Sequence, residues 1–234
     1  MSSSAVELPR VTGTCPPLLT AAVRRAVRAG GSWQQTADRV VEALRGRLPG
    51  PGILSAEQLA GGPDGYRTHL VHAEPDGSFS IVVMVWRPGQ RTPVHDHLTW
   101  CVTGVLQGTE YELVYANRGD HLEPVARNAN PAGTVSGFAP PGDIHEVTNT
   151  GDGIAVSMHV YGTDITRVAS SVRRVYAPPA PLTHPVPLQT PPALGAPTLA
   201  RTTDISPATA LPPATIHPAR PTASPSSLAR NPRT

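Results

Sequence analysis

The chain has 234 residues, 28 of them proline and only 4% aromatic, and its 19 basic and 17 acidic residues leave a net charge of +2. So balanced a charge, with no basic run interleaved with aromatics, gives no argument for a nucleic-acid partner. No stretch approaches the roughly 18–20 apolar residues that span a bilayer, and the first thirty residues lack the apolar core of a signal peptide, so no membrane partner is expected.

Residues 1–16 are polar and proline-containing, and are expected to be a flexible start. Leu18 to Ala29 has helical spacing and is closed by Gly30-Gly31. Ser32 then caps a second helix, with Gln35 three residues on completing a capping box and Val40, Val41, Leu44 and Leu48 forming its apolar stripe. A short third helix is expected over 55–59, stopped at Gly61-Gly62-Pro63. These helices, within residues 17–62, should pack on the outside of the strand region that begins at residue 63.

From Tyr66 the pattern becomes that of strands. Tyr66–His72 leads to a turn at Pro75-Asp76-Gly77, and Phe79–Trp86 reads as a strand buried on both faces. Thr99–Leu106, Glu110–Tyr115, His121–Val125, Thr134–Phe138, Ile144–Thr148 and Ile154–Tyr161 continue the series, with turns at Gly108 and Gly119-Asp120. Many short, closely spaced strands predict an all-β sandwich or barrel over residues 63–176. Fifteen of the prolines fall in residues 177–234, which have no hydrophobic periodicity and no aromatic residue. Such a segment cannot bury enough apolar surface to offset its conformational entropy, so a disordered tail is expected there. Its role is not legible.

The stretch that organises the chain is Pro88-Gly89-Gln90-Arg91-Thr92-Pro93-Val94-His95-Asp96-His97, with its counterpart Pro140-Pro141-Gly142-Asp143-Ile144-His145. On a strand, side chains two apart share a face, so His95 and His97 project together and Asp96 faces away. His145 can supply a third metal ligand from another strand. Spacing does not identify the metal, because imidazole suits Zn, Cu, Fe and Ni alike. Ser157, His159 and Tyr161 also alternate, so one strand would aim a hydroxyl, an imidazole and a phenol to one side.

Gly89 with His95-x-His97, and then Gly133 with Pro140-x-Gly142-x-x-His145-x-x-x-Asn149, resemble the two signature motifs of the cupin superfamily. That resemblance implies a double-stranded β-helix, or jelly-roll, barrel. The glutamate that usually follows the HxH pair as a fourth ligand is missing, its positions being held by Cys101 and Val102. Three neutral imidazoles would leave a divalent metal its full double charge, which favours an anionic thiolate. Ser157-Met158-His159-Val160-Tyr161 resembles the Ser-x-His-x-Tyr triad of the thiol dioxygenases, the cysteine dioxygenase family.

The family resemblance implies Fe(II) as cofactor, dioxygen and a small thiol carboxylate as partners, and a sulfinic acid as product. It implies that the Tyr161 hydroxyl bonds the substrate or oxygen at the metal, that His159 orients Tyr161, and that Ser157 fixes the imidazole. Cys101 stands where relatives carry the cysteine that cross-links to this tyrosine. The substrate carboxylate needs a cation, and Arg suits it by bidentate bonding. The cysteine-selective branch carries an arginine at the position of Thr68. Here Arg67 is one residue earlier, while Val172-Arg173-Arg174 is similar to the branch acting on 3-mercaptopropionate. Arg67, Arg173 and Arg174 are the candidates. Two cysteines, Cys15 and Cys101, are too few for a disulfide scaffold, and a reducing cytoplasm is expected. A non-catalytic ligand-binding cupin, or a cupin isomerase, is the alternative; the oligomeric state is left open.

Overall fold

The computed structural model describes residues 8–13, 15–177, 186 and 188–189. Most of the expected tail thus lies outside the described residues, as does the extreme N-terminus.

Two helices open the chain, α1 (Pro17–Arg28) and α2 (Trp33–Leu44), followed by the short α3 (Ala56–Leu59). The Ser32 hydroxyl accepts from the Gln35 amide while the Gln35 side chain returns to the Ser32 N–H, the reciprocal cap expected. Ser55 and Gln58 form the same box on α3. Nine strands come next: β1 (Arg67–Ala73), β2 (Ser80–Trp86), β3 (His95–His97), β4 (Cys101–Gln107), β5 (Thr109–Asn117), β6 (Leu122–Pro131), β7 (Val135–Phe138), β8 (His145–Thr148) and β9 (Ala155–Tyr161). A turn of helix, α4 (Ile165–Val168), then precedes β10 (Val172–Val175) and β11 (Leu188–Gln189).

The strands form two sheets, β1-β2-β9-β4-β7 and β10-β3-β8-β5-β6-β11. The first sheet is buried on both faces. Its outer face, carrying Ile81, Val83, Val85, Val102, Val156, Met158 and Val160, forms one core with Leu19 and Val23 of α1 and Val40, Val41 and Leu44 of α2. Each such side chain contributes about 1.5–3 kcal/mol on leaving water. This explains why β2 reads as an unbroken apolar run: one set of residues meets the helices and the alternate set meets the barrel interior. Glycines permit the close approach of α2. A Cβ on Gly137 would lie 2.8 Å from Val41 Cγ2 of that helix, and one on Gly104 would lie 2.4 Å from Cδ2 of Leu48, just beyond its end.

Several expectations needed correction. Residues 9–11 run along the open edge of β1, the Leu70 N–H donating to the Pro9 carbonyl and the Val11 N–H to the Leu70 carbonyl. β6 extends six residues beyond the expected Val125, through polar Arg127, Asn128 and Asn130, because its register with β5 carries it there rather than its own propensity. β10 lies beyond Tyr161, where the expected series of strands ended, and pairs with β3. Leu188–Gln189, in the expected tail, adds in parallel to β6.

Candidate metal centre

β3 and β8 are antiparallel neighbours with His95 opposite His145. Alternation brings His97 to the same face, and the three ring centroids lie 4.7, 4.7 and 5.1 Å apart. Each residue offers one ligand atom, and these atoms all lie within 4.8 Å of one another. The far side of each ring has an acceptor of its own. His95 Nδ1 is 2.9 Å from the Pro93 carbonyl, His97 Nδ1 is 3.2 Å from Asp143 Oδ2, and His145 Nδ1 is 2.8 Å from Glu112 Oε1.

A carbonyl or carboxylate oxygen can only accept, so each Nδ1 must carry the proton and each Nε2 must present its lone pair. His145 Nε2 is buried without a hydrogen-bond partner, a costly arrangement unless a further group binds there. Burial and the two neighbouring imidazoles push His95 down to about 3, and burial also lowers His97 against the pull of Asp143. Neutral imidazoles are the form a metal requires. The donor set therefore fits a divalent transition metal held by His95, His97 and His145, with carboxylates orienting two of the rings from behind.

Sequence reasoning missed both of those carboxylates. Asp143 also accepts the His97 backbone N–H at 2.7 Å, tying β3 to the loop before β8. Glu112 accepts in addition from Asn128 Nδ2 at 2.6 Å. The available signal was alternation on β5, where Glu110 and Glu112 are buried while Tyr111 between them and Leu113 after them are partly exposed.

The positions of the absent motif glutamate are filled apolarly. Val102 belongs to the outer core under the helices, and Cys101 to an inner cluster with Leu70, Val82, Tyr161 and Ile165. The Phe138 ring packs 4.9 Å from His97 and 5.1 Å from His145. Among the described residues the cluster is all-histidine.

Facing the histidines across the barrel is β9. Ser157 Oγ lies 2.9 Å from His159 Nε2, 2.9 Å from Glu110 Oε1 and 3.0 Å from Trp86 Nε1. The Thr103 hydroxyl is 3.3 Å from His159 Nδ1. With both ring nitrogens engaged, His159 meets Tyr161 ring to ring, at 6.0 Å and 23°, rather than by a hydrogen bond to its hydroxyl. The Tyr161 ring is also 6.3 Å from that of His97, inclined by 26°. Burial holds the Tyr161 phenol well above its ordinary value, with Cys101 adding to the shift and a Ser171 hydrogen bond opposing it. Cys101 is the cross-strand partner of Tyr161, and its own thiol is pushed up by burial.

The three candidate arginines are placed elsewhere. Arg67 is exposed on the outer face of β1, lying against Gly62. Arg173 pairs with Asp96, whose Oδ2 also accepts from the Tyr176 hydroxyl at 2.9 Å. Asp96 is on the face of β3 opposite the ligands, as alternation requires. Arg174 stacks over the Tyr176 ring at 5.6 Å. None of the three is brought to the histidines.

A two-sheet β-barrel with outer helices and an HxH…His centre defines a cupin, with the double-stranded β-helix fold of that superfamily. Residues 62–174 match the family model described as Cysteine dioxygenase type I. Over those residues, which span nearly all of the barrel, the chain is similar to the cysteine dioxygenase type I family, itself a group of cupins.

Among solved structures, TT1209 from Thermus thermophilus is 21% identical over 47% of this chain and 94% of its own, with a TM-score of 0.37. A Cupin 2 conserved barrel domain protein from Salinispora arenicola CNS-205 is 23% identical over 44% and 81%, with a TM-score of 0.33. A conserved double-stranded β-helix protein from Klebsiella pneumoniae is 20% identical over 47% and 87%, with a TM-score of 0.34. Among the described residues, no helix is long and apolar enough to cross a membrane.

Proposed function

We propose that the protein is a non-haem Fe(II) thiol dioxygenase of the cytoplasm, converting the thiol of cysteine or 3-mercaptopropionate, with dioxygen, to a sulfinic acid. The observation that carries this reading is the juxtaposition of an all-histidine centre and the Ser157–His159–Tyr161 wall, the His97 and Tyr161 rings 6.3 Å apart, with Cys101 in register beside Tyr161. Iron(II) held by His95, His97 and His145 would supply a redox-active Lewis acid.

The protein's own part is positioning. Three neutral ligands do not offset the metal's charge, so a thiolate is the substrate group this centre suits best. The Tyr161 phenol, kept protonated by burial, is a hydrogen-bond donor at the reacting atoms. Phe138, packed on two of the ligand rings, limits water at the metal. Arg173 and Arg174 are engaged with Asp96 and Tyr176 and Arg67 lies on the outer face of β1, so the substrate carboxylate would be met by the polar inner face, where Thr68 lies in line with Met84 and Ser157 through the sheet register.

Cys101 and Tyr161 are cross-strand neighbours, with Cβ atoms about 4.5–5.5 Å apart in such pairs, which suits an oxidative thioether between them. The test is oxygen uptake by iron(II)-reconstituted protein with L-cysteine and 3-mercaptopropionate in parallel, with products identified by mass. A sulfinate from either substrate, lost in His97→Ala, is the expected result. Iron bound without thiol-dependent oxygen uptake would refute the dioxygenase reading in favour of a ligand-binding cupin.

A further inference from the structure

Glu110 has no role in the metal centre, yet it is buried, 4% exposed, at the interior face of β5. Among the described residues its one ion-pair neighbour is His159, whose Nε2 is 3.7 Å away. A carboxylate buried without a close cation opposes folding, so its presence calls for another explanation. The hydrogen bonds around Ser157 provide one.

Ser157 Oγ has one proton to give and two lone pairs to receive with. The Trp86 indole N–H can only donate, and it takes one lone pair. The Glu110 carboxylate can only accept, so it takes the Ser157 proton. The remaining contact, to His159 Nε2, must then be made by a proton on the imidazole. His159 Nδ1 is left to accept from the Thr103 hydroxyl, and the ring is pinned at both ends. This is the reverse of the three metal ligands, whose protons sit on Nδ1.

We propose that Glu110, acting through Ser157, fixes the His159 proton on Nε2 and thereby sets the plane of the imidazole against which Tyr161 packs, making Glu110 a positioning residue for the site. Its consequence for turnover rests on the dioxygenase reading above; its effect on the proton does not. Glu110→Gln keeps the shape but lets the side chain donate. Its amide N–H can bond Ser157 Oγ, freeing the hydroxyl proton to turn to His159 Nε2 and driving the ring to the Nδ1–H form.

The measurement is long-range proton–nitrogen correlation NMR on the full chain. It would be histidine-labelled, loaded with diamagnetic Zn(II) and held at about pH 8, above the ordinary imidazole range. His159 would be assigned against His159→Gln. A proton on Nε2 in the wild type, moving wholly or partly to Nδ1 in Glu110→Gln, is expected. A wild-type ring without a proton on Nε2 overturns the proposal, whether or not the variant folds, and so does a variant ring unchanged from wild type. In turnover, Glu110→Gln should lower kcat about 10–100-fold with little change in KM and no loss of thermal stability. A tautomer switch in a protein that consumes no oxygen with thiols would sink the function and leave the role of Glu110 standing.

Discussion

Asp143 gives the sharpest test of how the centre is held. One of its oxygens, Oδ2, accepts both the His97 backbone N–H at 2.7 Å and His97 Nδ1 at 3.2 Å, and the side chain is 1% exposed. Asp143→Ala removes both bonds and leaves two donors facing an apolar gap. Hydrogen bonds to a charged acceptor contribute about 1.5–3 kcal/mol each, so the variant should lose roughly 3–5 kcal/mol of stability. The metal should suffer separately, because His97 is then free to rotate and to place its proton on Nε2. Loss of such a partner behind a ligand costs about 10–100-fold in affinity, or roughly 1.4–2.7 kcal/mol.

Asp143→Asn separates the two effects, since an amide oxygen at the same place can still accept both bonds but brings no charge. It should be intermediate in both. Urea unfolding of the metal-free protein gives the first quantity, and anaerobic calorimetric titration with Fe(II) or Co(II) the second. Metal affinity within twofold of wild type in Asp143→Ala would refute the claim that the carboxylate sets the ligand's tautomer.

Cys101 and Tyr161 should link during turnover, giving an intact mass lower by two hydrogens in protein recovered after reaction with iron and thiol. The loss should be absent in Cys101→Ser and in Tyr161→Phe, and an unchanged wild-type mass would remove the cross-link. A third prediction concerns the join between α1 and β1, where Glu74 takes a bidentate bond from Arg24 at 2.5 and 2.9 Å and a bond from His72 at 2.8 Å. The Arg24 bond, then that of His72, holds Glu74 below its ordinary value of 4.5. A depressed folded value means stability that is present above the ordinary value and lost as pH falls through the lowered one. Glu74→Gln should therefore melt below wild type at pH 7, with the gap closing as both are acidified beneath 4.5. A gap that stays constant into acid would show that charge is not what the join uses.

The clustering of His95, His97 and His145 was legible because its information is local: two histidines at strand spacing, and a third in a second proline- and glycine-bounded motif. The capping boxes of α2 and α3 were legible for the same reason, each being closed within four residues. Even the buried-both-sides character of β2 could be read from its apolar run. What spacing could not give is anything decided by partners distant in the chain. Glu112 reaches His145 across 33 positions, Asp143 reaches His97 across 46 and Glu110 reaches Ser157 across 47. Glu112 and Asp143 meet their histidines only when β3, β8 and β5 pair in one sheet, and Glu110 meets Ser157 only when the two sheets close on each other.

The arginines make the same point in the opposite direction. Their positions beside the family's motifs suggested a carboxylate anchor, but the register of β10 on β3 gives Arg173 to Asp96, and Arg67 lies on the outer face of β1. By itself the sequence determined the barrel, the three clustered imidazoles and the faces on which they lie, because period and motif act over a few residues. Only the tertiary structure decided which nitrogen of each ring is free, because that depends on the single acceptor that a distant strand places behind it.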